Sequence, residues 1–296
     1  MPSPGPEAPP ATGPGRSLRI EIDGLSLTVV DHGGSARHSG PPLLLLHGGM
    51  AHARWFDPLA PLLARAGRPF ALDRRGHGES DWTERERYGW ERDVADLVEA
   101  MRILDPGPWV LVGHSQGGLI AADLASRGVV PLRGLVLLDI PLFLGTPAMR
   151  SAGDRLSRIP QMRWPTREAA VAGFRPFPLP HRIPPDRLAR LADASFKSDG
   201  EGGVTSRFHW KVFRADPRGG PGKGFADRLR RVEAPTLCLR GSEPTILSAE
   251  DHEEMVRRLP RGEGVVVPGA THHLHVEEPG AVADAILSFL DRLPRD

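Results

Sequence analysis

The chain has 296 residues, of which 40% are hydrophobic and 25% charged. That composition suits one large α/β domain, or one domain with an insertion, and excludes a disordered chain. A net charge of +1 gives no global reason to expect a nucleic-acid partner, and the single cysteine, Cys238, excludes an intramolecular disulfide or a cysteine metal cluster.

In chain order, residues 1–17 (MPSPGPEAPPATGPGRS) are rich in Pro, Gly and Ala. They lack the basic start and apolar core of a signal peptide and read as a disordered tail. LRIEIDGLSLTVVDHG predicts a hairpin turning at Asp23-Gly24. PPLLLLHGG has the continuous apolar run of a buried parallel strand, RWFDPLAPLLARA (54–66) has helical spacing, and RPFALD (68–73) reads as another buried strand. A helix is expected from about Gly89 to Leu104, with Val94, Leu97, Val98 and Met101 on one face. WVLVGHS then reads as a strand, QGGLIAADLASRG as a helix stopped by Gly128, and LRGLVLLDI as a strand. Near the far end, PTLCLRG and GVVVPGA are strands, each followed by a helix, SAEDHEEMVRRLP and PGAVADAILSFLDRL. Cys238 lies within the first of these strands and reads as a small buried residue. Alternation of this kind predicts a doubly wound, mostly parallel sheet, with a core formed by 18–140 and 232–296. No apolar stretch approaches the roughly 18 residues of a membrane span, so no membrane partner is expected and the default location is the cytoplasm.

Residues 141–231 break the rhythm. They are dense in Pro, Arg and Gly and are expected to form a mostly helical cap (lid) over the carboxyl ends of the strands, where such sheets bind ligands. This stretch carries 18 Lys and Arg against 8 Asp and Glu, whereas the remainder carries 20 against 29. The surplus reads either as a roof for an anionic substrate or acidic carrier, or as solvated arginines in an arginine-rich chain.

Gly113-His114-Ser115-Gln116-Gly117 fits G-x-S-x-G between a predicted strand and a predicted helix. A serine on so tight a turn needs small neighbours, and the following helix N-terminus favours negative charge there. Ser115 is therefore the candidate nucleophile, and it needs a base to take its proton. GVVVPGATHHLHVEEP offers His272, His273 and His275 after the last strand; His272 comes first and is preferred. His47, His52, His77 and His114 lie in turn-like stretches and read as structural. The orienting carboxylate is either Asp139, at the end of LRGLVLLDI, or Glu243, beyond PTLCLRG. Chain order does not separate them. Asp139 is favoured because a carboxylate ending an apolar strand needs a partner to offset its burial. For the oxyanion, the main chain of Gln116 supplies one N–H donor, and Gly49, or alternatively Met50, supplies the second.

From about residue 18 to the end, LLLLHGG, LDRRGHGES, LVGHSQGG, LVLLDIP and PGATHHLHVEEP occur in the order found in the α/β-hydrolase fold family, and the chain resembles a serine hydrolase of that family with a cap domain. The resemblance implies an eight-stranded, mostly parallel sheet flanked by helices, a helical cap insertion and a Ser-acid-His triad, with no metal or organic cofactor. In the family the acid commonly follows the next-to-last strand. Here that loop, GSEPTILS, has no aspartate, and some members place the acid after the strand that follows the nucleophile, as Asp139 does. The Asp73–Gly78 stretch matches a structural or pocket-shaping family segment. Serine at 115, rather than aspartate, sets the chain apart from the dehalogenases and epoxide hydrolases of the family. The expected activity is hydrolysis of a small ester, lactone, thioester, amide or C–C bonded ketone, with a carboxylate-bearing or carrier-linked substrate suggested by the basic cap. A lyase, cyclase or cofactor-free oxygenase, or a ligand receptor, is the alternative on the same fold.

Overall fold

The computed structural model describes residues 15–33, 40–140, 158, 160–215, 221–222, 224–243 and 246–294. Strands β1 (Arg16–Ile22) and β2 (Leu25–Asp31) form the expected antiparallel hairpin, and both turn residues, Asp23 and Gly24, take the positive φ that such a tight turn demands. The core continues through β3 (Pro42–Leu46), β4 (Arg68–Leu72), β5 (Trp109–His114) and β6 (Leu132–Leu138). Three short strands follow, β7 (Arg163–Trp164), β8 (Phe196–Ser198) and β9 (Val204–Ser206), before β10 (Thr236–Gly241) and β11 (Gly262–Val267) return to the core. The main sheet has eight strands in the order β1-β2-β4-β3-β5-β6-β10-β11. Its pairs from β4 to β11 are parallel, and β2 joins β4 antiparallel.

Every residue of β3 and β5 is buried, as continuous apolar runs in a two-sided sheet require. On one face lie α2 (Trp90–Leu104) and α3 (Gln116–Arg127), which bury Val94, Leu97, Leu119 and Ile120 with Leu111 and Leu137. On the other lie α1 (Ala60–Leu63) and the long closing helix Pro279–Asp291, whose Val282 and Ile286 share one buried core with Val110, Val112 and Leu239. The helix expected over 54–66 is broken: a 3-10 turn at Ala53–Phe56 precedes the single turn of α1. Pro58 and Pro61, each without an N–H, interrupt what apolar spacing alone suggests.

Of the expected tail, residues 1–14 lie outside the described residues, whereas Arg16 and Ser17 already belong to β1, paired with Asp31 and Val30. In the stretch read as a mostly helical cap, residues 141–157, 159, 216–220 and 223 lie outside the described residues. Its described residues combine helices α4 (Arg167–Ala172), α5 (Pro185–Ala194) and α6 (Lys211–Ala215) with an antiparallel sheet β7-β9-β8. It is thus not wholly helical. Its strands have two or three residues each, too short for alternation to register in sequence. This segment packs on loops leaving the carboxyl ends of three core strands. His52, after β3, bonds Ser195 Oγ at 3.1 Å; Gly76, after β4, accepts from His209 N at 2.8 Å; Val276, after β11, accepts from Arg187 at 2.8 Å.

Candidate active site

The fully buried strand β5 runs directly into Ser115, whose backbone stands at φ 50°, ψ −121°. A non-glycine residue held there is strained, and only tight surroundings keep it so. Those surroundings account for the flanking glycines. A Cβ on Gly113 would lie 2.4 Å from Gly118 Cα, and one on Gly117 would lie 2.3 Å from the Leu46 carbonyl oxygen. Helix α3 begins at the next residue, so its N-terminal N–H groups face the same point.

Asp139 follows the last residue of β6 and is also held at positive φ, 47°. Its N–H is tied to the Leu239 carbonyl at 2.8 Å, and the Gly241 N–H donates to its Oδ2 at 3.3 Å. On the other oxygen it accepts a 2.8 Å hydrogen bond from His272 Nδ1. Both partners are buried, at 3% exposure each. That bond places the ring proton on Nδ1 and leaves Nε2 as the basic nitrogen, with no hydrogen-bond partner among the described residues. The residue preceding the serine closes the arrangement: His114 Nε2 donates to the main-chain carbonyl of His272 at 2.9 Å. Burial pushes the His272 imidazole well down from its ordinary value of 6.5, to about 3, so the ring rests neutral. The same dryness pushes the Asp139 carboxyl upward, opposed by the Gly241 N–H.

The other candidates separate by geometry. Glu243 is 49% exposed and lies 3.6 Å from Arg182, while the Nδ1 position of the His272 ring is taken by Asp139. His273 and His275 are buried packing groups: His273 lies 5.1 Å from Trp55, and His275 lies 5.0 Å from Phe56 and 4.2 Å from His114, centroid to centroid. His77 is sandwiched between His47 and Phe208, at 4.8 Å from each. Gly49 and Met50 form the loop after β3, with Met50 at φ 59°, and a Cβ on Gly49 would come within 3.3 Å of Gln116 Oε1. The two loops proposed to supply oxyanion donors are therefore in contact.

Two sets of contacts in this region escape sequence reasoning, although Arg74 lies in the Asp73–Gly78 stretch read as structural or pocket-shaping. Glu277 accepts from Thr271 N at 2.6 Å, from Thr271 Oγ1 at 2.7 Å and from Arg182 N at 2.8 Å, bracing the loop that carries His272. Arg74 reaches Gln116 Oε1 at 2.8 Å from 42 residues away. Neither contact has a local signature. Among the described residues, no group of three or more His, Cys, Asp or Glu side chains is arranged to hold a metal ion.

A family model described as "Alpha/beta hydrolase family" matches residues 43–285, which include β3 from Leu43 on, the serine turn, Asp139 and His272. The chain is an enzyme of the alpha/beta hydrolase family. Among relatives of this alpha/beta hydrolase, the 2-(acetamidomethylene)succinate hydrolase of Mesorhizobium japonicum is 29% identical over 279 residues, covering 93% of this chain and 95% of the relative. Esterase Rv0045c of Mycobacterium tuberculosis is 28% identical over 275 residues, covering 90% and 87%. The crystal structure of E-2-(acetamidomethylene)succinate hydrolase superposes with a TM-score of 0.79 at 27% identity, covering 94% of this chain and 99% of the other.

Proposed function

We propose that the protein is a serine hydrolase that transfers an acyl group from a small ester, lactone, thioester or amide, or the acyl fragment of a C–C bonded ketone, through Ser115 to water. The observation that carries this reading is the buried 2.8 Å His272–Asp139 bond, joined by the His114–His272 bond to the strained turn of Ser115. His272 Nε2 takes the Ser115 proton as Oγ attacks the carbonyl carbon, and Asp139 holds the tautomer and stabilises the imidazolium that forms. The main-chain N–H groups of Gly49 and Gln116 receive the oxyanion, with Met50 the alternative to Gly49. As the tetrahedral adduct collapses, the imidazolium protonates the leaving group. Water, deprotonated by the same nitrogen, then releases the acid product and regenerates the serine. The chemistry needs no metal or organic cofactor.

The substrate is proposed to carry a carboxylate, free or on an acidic carrier. Support comes from the 18 cations against 8 acids of residues 141–231 and from the relative named for a substituted succinate. The test is a panel of short esters, lactones, acyl thioesters and carboxylated analogues on wild type and Ser115→Ala. Turnover that vanishes with the hydroxyl, by about 10⁴-fold or more, and that favours carboxylated members is the expected result. Hydrolysis that survives Ser115→Ala would overturn the acyl-serine mechanism, and equal rates on neutral substrates would overturn the carboxylate preference.

A further inference from the structure

We propose that Arg74 is a positioning residue that aims the two oxyanion donors, a role that rests on the serine-hydrolase reading above. Arg74 follows β4 by two residues and is buried, with a side-chain exposure of 4%. Its Nη1 faces Asp93 of α2 at 3.3 Å. Its Nη2 donates to Gln116 Oε1 at 2.8 Å and to the Gly48 carbonyl at 3.3 Å, and lies 3.5 Å from His77 Nε2. One guanidinium thus spans the residue after the serine and the residue before Gly49.

The Gly48 carbonyl is the key acceptor. It also receives His47 Nδ1 at 2.8 Å. The His47 tautomer that makes this bond is dictated by the other side of the ring, because Nε2 accepts the Arg74 main-chain N–H at 3.2 Å and so carries no proton. Position 74 therefore holds the same carbonyl twice: directly through the arginine guanidinium, and indirectly through its main-chain N–H, which sets the proton on His47 whatever the side chain. A trans peptide is planar, with its C=O and N–H pointing in opposite directions. Holding the Gly48 oxygen back toward Arg74 turns the Gly49 N–H the other way, toward the cleft. The same guanidinium anchors the Gln116 side chain, which fixes the residue whose main-chain N–H is the second donor. Lysine would replace it only in part, because Nη1 holds Asp93 while Nη2 serves the two acceptors, a division between two nitrogens that a single ammonium cannot make.

The experiment pairs kinetics with a crystal structure. Arg74→Met/Asp93→Asn removes the guanidinium arm of the clamp together with the charge it pairs in Asp93. Its kcat on a short p-nitrophenyl ester should fall about 10²- to 10³-fold, the usual size of a lost oxyanion donor, with KM little changed and the thermal transition retained. Its crystal structure should show the Gly48–Gly49 peptide rotated. Arg74→Lys should restore only part of kcat. Wild-type-like kcat in the double variant, or a fall carried by KM alone, overturns the proposal. If wild-type turnover proves independent of Ser115, the hydrolase reading fails separately, and an unrotated peptide in the variant then overturns the clamp on its own. Should the double variant not fold, Gln116→Met, which leaves every charge in place, carries the test: a kcat loss of about tenfold is expected, and no loss overturns the proposal.

Discussion

Two carboxylates, Asp139 after β6 and Glu243 after β10, sit on neighbouring strand ends, both later than Ser115 and earlier than His272. Their surroundings are opposite. Asp139 is 3% exposed, takes a positive φ, and is bonded to a ring and a main-chain N–H. Glu243 is 49% exposed and stands 3.6 Å from an exposed arginine. A buried carboxylate must be paired, because leaving water without a partner costs several kcal/mol, whereas a solvated one needs no partner. Solvation, and not order along the chain, separates a group able to orient a histidine from one that decorates the rim.

The strongest way to break that comparison is to exchange one atom on the dry side. Asp139→Asn keeps the shape of the side chain but favours the wrong histidine tautomer, and kcat should fall about 10⁴-fold. Steady-state kinetics on any ester that wild type turns over in a Ser115-dependent manner decides it. A loss under tenfold would mean that another group orients His272.

Acid should expose the same contrast through stability. His32, His47, His52, His77, His114, His272, His273 and His275 are buried, and burial pushes each below its ordinary value of 6.5, to about 4 for His32 and about 3 for His52, His114 and His272. Unfolded imidazoles bind protons as pH falls through 6.5, and these folded ones do not. Their contribution is complete above that pH and is lost as pH drops toward their depressed values, by up to about 1.4 kcal/mol per unit for each ring. The melting temperature should be flat from pH 8 to 7 and fall steeply from 6.5 to 5. The carboxyls of Asp57, Asp73 and Asp139, which burial raises, oppose this fall, and a flat profile down to pH 5 would mean that the rings do not outweigh them.

A steric break at the serine turn comes next. Gly117→Ala would drive a Cβ to within 2.3 Å of the Leu46 carbonyl and 2.5 Å of the His47 carbonyl, both main chain and unable to swing aside. A destabilisation of about 3 kcal/mol is expected, read by calorimetry as a drop of about 10 °C. An alanine variant as stable as wild type would mean that the turn relaxes freely, which would contradict the strain at Ser115.

How much of this was legible in the sequence follows from how local each signal is. Ser115 announces itself through two glycines within two residues, and the parallel sheet through apolar runs such as LLLL and LVLL. His272 became a candidate by order, and Asp139 by the cost of ending an apolar strand on a charge. The Arg74 and Glu277 contacts were not legible. Arg74 meets partners 26 and 42 residues away, and the Glu277 bond to Arg182 spans 95, so no window of sequence contains them. The short strands β7 to β9 failed for the opposite reason, being too brief to show a period. Over 54–66 the apolar spacing was present, but two prolines overruled it.

The smallest expected effect is as informative as the largest. Glu243→Gln removes a charge whose visible partner is an exposed arginine at 3.6 Å, an ion pair of the kind that contributes between about 0 and 1 kcal/mol. Its kcat and melting temperature should stay within about twofold and about 2 °C of wild type. The value of the measurement lies in its pairing with Asp139→Asn. If both variants lose activity, the two loops act together, and Arg182, which bridges Glu243 and the Glu277 brace beneath the His272 loop, becomes the link to examine. If only Asp139→Asn does, the histidine answers to the dry carboxylate alone, and the loop after β10 is free to vary without touching the chemistry.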